Sequence, residues 1–307
     1  MRNTSRQPGG PVGKAAQMRR MLDSPEMVFL MEAHDGLSAR IAQSEGFDAL
    51  WASGFSISTS LGLRDSDEAS WSQLLSVVEY MVAGTSVPIV VDGDTGYGNF
   101  NTARRFLVSA ERQGAAGVCF EDKVFPKMNS FVGDSHRLAD IDEFAAKIAA
   151  CSEARNDEDF CIIARTEALI AGRGVDEALK RAEAYRKAGA TAIFVHSRRQ
   201  VADEIEQFAA AWADRAPLVI APTTYASTSA DTFRELGISA VIWANHSMRA
   251  AVTAMRDVCR SIKASESVLS AEAKIASLKE IFEFMDYAEI EETERRLLLR
   301  GTSAADD

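Results

Sequence analysis

No stretch of this chain stays apolar for the ~18 residues that a membrane-crossing helix needs. Its first thirteen residues are polar, carry Pro8, Gly9, Gly10 and Pro11, and lack the apolar centre of a secretory leader. A soluble protein is expected. Cysteine is scarce: the four, Cys119, Cys151, Cys161 and Cys259, lie far apart and show no metal-ligand spacing. Two of them sit in apolar runs, which fits reduced, buried thiols in a cytoplasmic protein. Basic charge is in deficit, with 34 Lys and Arg against 45 Asp and Glu and a formal net charge of -11. That balance argues against nucleic acid or an anionic membrane as a main partner. The pairs Arg19-Arg20 and Arg198-Arg199 are too short to reverse it and read as solvated faces. Nucleotide fingerprints are missing too: Gly93, Gly96 and Gly98 do not stand in the G-x-G-x-x-G register, and there is no P-loop.

What is present is enough apolar material, 47% of 307 residues, to bury a large core in one big domain or two small ones. One phrase recurs, in which a helix ends at Gly and a buried strand starts two residues later. It occurs at Gly46 to Ser53, Gly114 to Glu121, Gly189 to His196 and Gly237 to Ala244, with Gly as the helix C-cap. Met27 to Ala33, Val87 to Asp92, Phe160 to Arg165 and Pro217 to Ala221 supply further apolar runs. Alternating strands and helices of this number, in about 240 residues, predict a (β/α)8 TIM-type barrel, with a doubly wound sheet as the alternative. The expected organisation is a disordered tail over 1–14, the barrel over 15–264, a C-terminal helical segment over 265–300 and a second tail over 301–307. Helical spacing of Ile275, Leu278, Ile281 and Phe282 within Ser270 to Phe284 leaves an apolar face unspent, which predicts subunit contact.

Barrel active sites lie at the C-terminal ends of the strands, so the residues closing each apolar run carry the functional argument. They are Ser53, Asp92, Glu121, Arg165, His196, Pro222-Thr223 and Asn245. A carboxylate ending a buried strand must face something charged, because desolvating it alone is costly. Asp92, Asp94 and Glu121 together make an oxygen-rich pocket suited to Mg2+. Lys127 and Asn129 follow on a loop as donors for an anionic ligand, and Arg165 reads as an anion clamp. The hydroxyl of Ser53 and the amides of Gly54 and Phe55 can hold a carboxylate. Plainer readings stand beside these. Asp92 and Asp94 also suit turn caps, Arg165 an internal pair with Glu167, His196 a structural role, Ser53 an ordinary turn, and Asp65 a cap for a helix beginning near Asp67.

The motifs Asp92-Gly93-Asp94-Thr95-Gly96-Tyr97-Gly98-Asn99, Glu121 to Ser130, Leu61 to Ser66 and Trp243-Ala244-Asn245-His246 closely resemble the phosphoenolpyruvate mutase family of the isocitrate lyase superfamily. The likeness runs from about Glu32 through Leu299. It implies interconversion of phosphoenolpyruvate and 3-phosphonopyruvate, the entry to phosphonate biosynthesis, with Mg2+ required. By that resemblance Asp92 is the direct metal ligand, and Asp94 and Glu121 reach the metal mainly through water. Ser53, Gly54 and Phe55 match carboxylate-binding positions, Asn129, Arg165 and His196 match groups around the phosphoryl, and Ser130 is a further substrate-binding position. Lys127 and Asn129 ride on a gating loop, and Asp65 matches a residue essential to transfer. Phosphonopyruvate hydrolase is the alternative, and Asn129, where those relatives carry Thr, favours the mutase. The Lys-Lys-Cys-Gly-His loop motif of the carbon-carbon lyases is absent, and a non-catalytic metabolite-binding oligomer is the remote reading. Two departures stand out: Gly93 replaces the usual Ala, expected to loosen the metal turn slightly, and Phe131 replaces Leu. The resemblance further implies a homotetramer, a dimer of dimers with a late helix exchanged between subunits.

Overall fold

The computed structural model describes residues 13–133 and 136–303, with side chains to 298. Most of the expected N-terminal tail, and 304–307 of the C-terminal one, lie outside the described residues. In chain order the elements are α1 (Lys14–Leu22), β1 (Val28–Ala33), α2 (Gly36–Ser44), β2 (Ala49–Ala52), α3 (Gly54–Ser60), α4 (Trp71–Gly84), β3 (Ile89–Asp92), α5 (Phe100–Arg112), β4 (Gly117–Glu121), α6 (Ile141–Ala154) and β5 (Cys161–Thr166). They continue with α7 (Gly174–Lys187), β6 (Ala192–Val195), α8 (Asp203–Trp212), β7 (Leu218–Ile220), α9 (Ala230–Glu235), β8 (Ala240–Trp243), α10 (His246–Ser265), α11 (Leu269–Glu272), α12 (Leu278–Phe284) and α13 (Tyr287–Ser303). All eight strands pair in parallel in the order of the sequence, and β8 closes on β1. This is the expected (β/α)8 barrel. The recurrent glycines Gly46, Gly114, Gly189 and Gly237 all have positive φ, the backbone state for which a helix-ending Gly is suited.

Side chains alternate across each strand, and that alternation divides the core in two. Leu30, Trp51, Val90, Cys119, Ile163, Phe194, Val219 and Ile242 fill the barrel interior, with Met18 and Leu22 of α1 packed in the same cluster. Residues of opposite parity, among them Leu50, Val91, Val118, Phe120, Ile162 and Val241, pack against the helices. Continuing the inward parity to the strand ends brings Glu32, Ser53, Asp92, Glu121, Arg165 and His196 to one mouth of the barrel, all buried except the partly exposed Arg165. Register does the rest: Glu121 stands directly beside Arg165.

Three expectations need correction. The helix after Asp65 begins at Trp71, capped by Ser70, because Asp67 adopts φ 59° and breaks any earlier start. Asp65 is therefore free of capping duty. The segment Ser270 to Phe284 is two short helices, α11 and α12, with Ser277 capping the second. Chain contacts separate a compact unit ending at Arg249 from one beginning at Ala250. No described helix is long and apolar enough to cross a membrane.

Gly93 is not a loosened turn. A Cβ built there would meet Phe120 Cε1 at 2.6 Å and Phe106 Cε1 at 2.9 Å. These rings, with centroids 5.9 Å apart, occupy the space a methyl would need. Gly93→Ala should therefore destabilise the protein by roughly 1–3 kcal/mol through overpacking. Denaturant unfolding checks this, and an unchanged midpoint would show that the rings give way freely.

Candidate active site

At the C-terminal mouth of the barrel lies a cavity of about 590 Å³, lined by Ser53, Phe55, Asp65, Asp92, Glu121, Lys127, Asn129, Ser130, Arg165 and His196 among others. Every predicted site residue except Gly54 and Asp94 therefore faces one space. Those two stand immediately behind it: a Cβ on Gly54 would meet Asp94 Oδ1 at 3.1 Å and Asp92 Oδ2 at 3.2 Å. Only a glycine lets α3 approach the two carboxylates so closely. The amide of Gly54 donates to Asp92 Oδ2 at 3.3 Å, and the Ser53 hydroxyl accepts from the Ser56 amide at 3.3 Å as the cap of α3. Ser53 thus serves the turn as well as facing the cavity.

The loop after β4 reaches across the mouth. Lys127 Nζ lies 2.6 Å from Asp65 Oδ1 and 2.6 Å from Asp94 Oδ1. Asn129 Nδ2 donates to Asp65 Oδ2 at 2.6 Å, and the Lys127 amide donates to Asp67 Oδ2 at 2.5 Å. Two aspartates after α3 thereby clamp the loop. Lys127 and Ser130 are buried, whereas Phe125 and Met128 face solvent. Phe131 sets its ring edge-on to the His196 imidazole, centroids 5.4 Å apart.

Charge distribution follows from burial. Desolvation raises Asp92, and raises Asp94 well above the usual carboxylate range, with Lys127 opposing both shifts. Burial also pushes Asp65 up, but the Lys127 ammonium and the Asn129 amide outweigh it and hold Asp65 below its ordinary value. Lys127 is protonated for the reciprocal reason: burial disfavours its charge, and Asp65 and Asp94 more than restore it. Glu121 Oε1 is buried without a hydrogen bond, and Asp94 Oδ1 has the ammonium near it but no aligned hydrogen bond. A hard cation suits this set: oxygen donors only, in anionic excess, with acceptor capacity unspent. Among the described residues no three such side chains converge as a ready-made direct ligand set.

Opposite the carboxylates lies a cationic cluster that sequence reasoning saw only in part. Arg165 Nε donates to Glu167 Oε1 at 2.5 Å, so the pairing considered for Arg165 exists alongside its place on the cavity wall. His196 Nδ1 lies 2.8 Å from both Glu167 Oε1 and Arg165 Nη2. As an N–H it donates to the carboxylate; as a lone pair it accepts from the guanidinium. Burial and the Arg165 charge lower its pKa, which favours neutral imidazole. Lys123 was missed, and Glu167, weighed only as a partner for Arg165, was not recognised as the anion of the whole cluster. Both lie close in sequence to recognised residues, Lys123 two beyond Glu121 and Glu167 two beyond Arg165, and the inward parity of β5 was the signal available for Glu167. Also missed were Asp122, which accepts from Tyr185 Oη, Arg181 Nη1 and the Glu167 amide at 2.7, 3.0 and 2.7 Å, and Glu32, whose carboxylate takes His34 and the Met248 amide.

The sequence profile of phosphoenolpyruvate phosphomutase matches residues 18–263. The chain belongs to the phosphoenolpyruvate phosphomutase family. A phosphoenolpyruvate phosphomutase of Streptomyces hygroscopicus is 56% identical over 294 residues, covering 95% of this chain and 92% of that protein. The crystal structure of the phosphomutase from Streptomyces platensis subsp. rosaceus superposes with a TM-score of 0.91 at 40% identity, covering 94% of this chain and all of that one. A phosphonopyruvate hydrolase crystallised with oxalate and Mg2+ follows at 0.88 and 38%, again covering 94% of this chain and all of the other. As a phosphomutase of this family the chain is an isomerase that moves a phosphoryl group.

Glu167 gives the site a pH signature. Burial would raise its carboxyl, yet Arg165, His196 and Lys123 hold it well below the ordinary range. A group depressed on folding stabilises fully above its unfolded pKa, about 4.3, and loses that contribution as pH falls through its folded value. Glu167→Gln should lower stability at pH 7, and the fall of its unfolding midpoint from about pH 4.3 downward should be shallower than in the unsubstituted protein. Parallel pH profiles for the two proteins would contradict this assignment.

Proposed function

We propose that the cavity interconverts phosphoenolpyruvate and 3-phosphonopyruvate by intramolecular phosphoryl transfer, the step that forms a carbon-phosphorus bond in phosphonate biosynthesis. The observation that carries this reading is the division of one cavity into a carboxylate wall, Asp92 and Glu121 with Asp94 behind, and a cationic wall, Arg165 with His196. Asp65 stands between loop and mouth. Phosphoryl transfer passes through a loose, metaphosphate-like state, so the protein's work is to position and to stabilise charge. Asp92, Asp94 and Glu121 would hold Mg2+, which supplies charge neutralisation at the enolate and carboxylate oxygens of the substrate. A phosphonopyruvate hydrolase solved with oxalate and Mg2+ supports a divalent metal in this reading.

In this reading the amides at the start of α3 orient the substrate carboxylate, Arg165, His196 and Asn129 receive the phosphoryl oxygens, and Lys127 offsets the charge of Asp65 and Asp94. Asp65 faces the transferring group. The loop excludes water, which would otherwise capture the phosphoryl as inorganic phosphate. Asn129 supports transfer over hydrolysis, since its amide ties the loop to Asp65 at 2.6 Å. Carbon-carbon cleavage is disfavoured: among the described residues no cysteine lines the cavity, and Cys119, in the barrel interior, is kept protonated by burial. We place the enzyme in the cytoplasm as a homotetramer. Ile281 and Phe282, with Leu278 and Leu297, are exposed in the chain, and a partner subunit covering them accounts for an apolar face otherwise in water.

Asp65→Ala should abolish formation of phosphoenolpyruvate from phosphonopyruvate, by at least about 1000-fold, with an unchanged circular dichroism spectrum. Retention of more than a tenth of the activity would remove Asp65 from the transfer.

A further inference from the structure

Glu167 is fully buried, takes no part in the reaction as laid out above, and yet touches Arg165, His196, Ser130 and Lys123 at once. Its two carboxylate oxygens divide the work. Oε1 accepts from Arg165 Nε at 2.5 Å and lies 2.8 Å from His196 Nδ1. Oε2 accepts from the Ser130 hydroxyl at 2.6 Å and lies 3.1 Å from Lys123 Nζ. One oxygen thus holds the cationic wall, and the other holds the loop. The main chain of Glu167 is fixed independently, its amide donating to Asp122 at 2.7 Å. Asp122 in turn is anchored by Tyr185 and Arg181 of α7.

The Ser130 hydroxyl has no bonding capacity left for a substrate. It donates to Glu167 and accepts from Lys123 Nζ at 2.6 Å and Arg165 Nη2 at 3.1 Å, which uses its one proton and both lone pairs. Lys123 also donates to the Met128 carbonyl at 3.0 Å, so the loop is gripped at two points. A hydroxyl committed in this way works as a bolt. It is buried at 4% exposure, so each broken contact leaves polar atoms without water to replace it.

We propose that Glu167 is a positioning residue which, through the bolt Ser130, latches the loop after β4 in register with Arg165 and His196. Loop position and cation orientation are then set by a single carboxylate. When the loop is docked, the guanidinium and imidazole are held; when Ser130 leaves, Glu167 Oε2 and Lys123 lose a shared partner and the cationic wall loosens with the loop. For the phosphomutase reaction, on which this consequence rests, unlatching admits water and diverts substrate to pyruvate and phosphate.

The test is hydrogen-deuterium exchange on the substrate-free enzyme, followed by peptides across 124–133, β5 and α7, for Ser130→Ala and Glu167→Gln. The latch predicts about tenfold or faster exchange in 124–133. In Ser130→Ala the β5 and α7 peptides should stay at the original rate, which separates an opened latch from a damaged fold. Unchanged exchange over 124–133 in Ser130→Ala, or acceleration spread evenly over the three regions, would overturn the proposal. With phosphonopyruvate and Mg2+, both variants should release a larger fraction of phosphate than the unsubstituted enzyme. An original enzyme that fails to turn over phosphonopyruvate would count against the reaction, and the exchange rates would still decide the latch.

Discussion

Everything at the mouth of this barrel depends on one constraint: carboxylates that end buried strands must be met by positive charge. Asp92 and Glu121 arrive there because strands alternate inward and outward, and Asp94 follows on the tight turn behind Gly93. Lys127 answers them from the loop, in ion pairs at 2.6 Å with both Asp94 and Asp65. The loop's docked position is therefore an electrostatic consequence of the carboxylates below it. With that lysine beside it, the Asp65 side chain is buried, held ionised and part of the cavity wall.

The opposite wall solves the same problem with the signs exchanged. Arg165 and Lys123 crowd the barrel mouth beside the His196 imidazole, and Glu167 is the anion that lets them share it. Buried ion clusters of this kind contribute little net stability over a well-packed apolar alternative. Their value here is geometric: Arg165 and Lys123 are each held by hydrogen bonds of 2.5–3.1 Å. The two walls meet at Glu121 and Arg165, neighbours in register with an ion contact of 3.4 Å. A substrate that carries a carboxylate and an enolate at one end and a phosphoryl group at the other matches this polarity.

Much of this was legible in the sequence because strand-end chemistry is local. An apolar run ending in Asp92, Glu121, Arg165 or His196 announces both the strand and the mouth. Helix-ending glycines such as Gly114 and Gly189 marked the repeat that closes the barrel. What escaped notice depends on tertiary meeting points. Ser130 was legible as a site residue and Glu167 as a partner for Arg165, but the two are far apart in sequence, and nothing in either segment shows that they touch. Asp67, by taking φ 59°, moved the start of α4 to Trp71, a turn conformation that spacing could not reveal. Gly93 misled for a similar reason, since Phe106 and Phe120 fill the space its missing methyl leaves, and ring packing across elements has no local signature. In the C-terminal region, helical spacing was read from Ile275 through Phe282, but Ile275 precedes the Ser277 cap and lies outside α12.

The central claim, that a docked loop and two opposed charged walls direct a phosphoryl group between oxygen and carbon, is tested most directly by phosphorus NMR. Purified enzyme is given phosphonopyruvate and Mg2+, with a chelated control. The account predicts the phosphorus signal of phosphoenolpyruvate, growing to equilibrium with little inorganic phosphate and absent when the metal is removed. Inorganic phosphate and pyruvate as the main products would contradict it, showing that water reaches the phosphoryl group despite the docked loop.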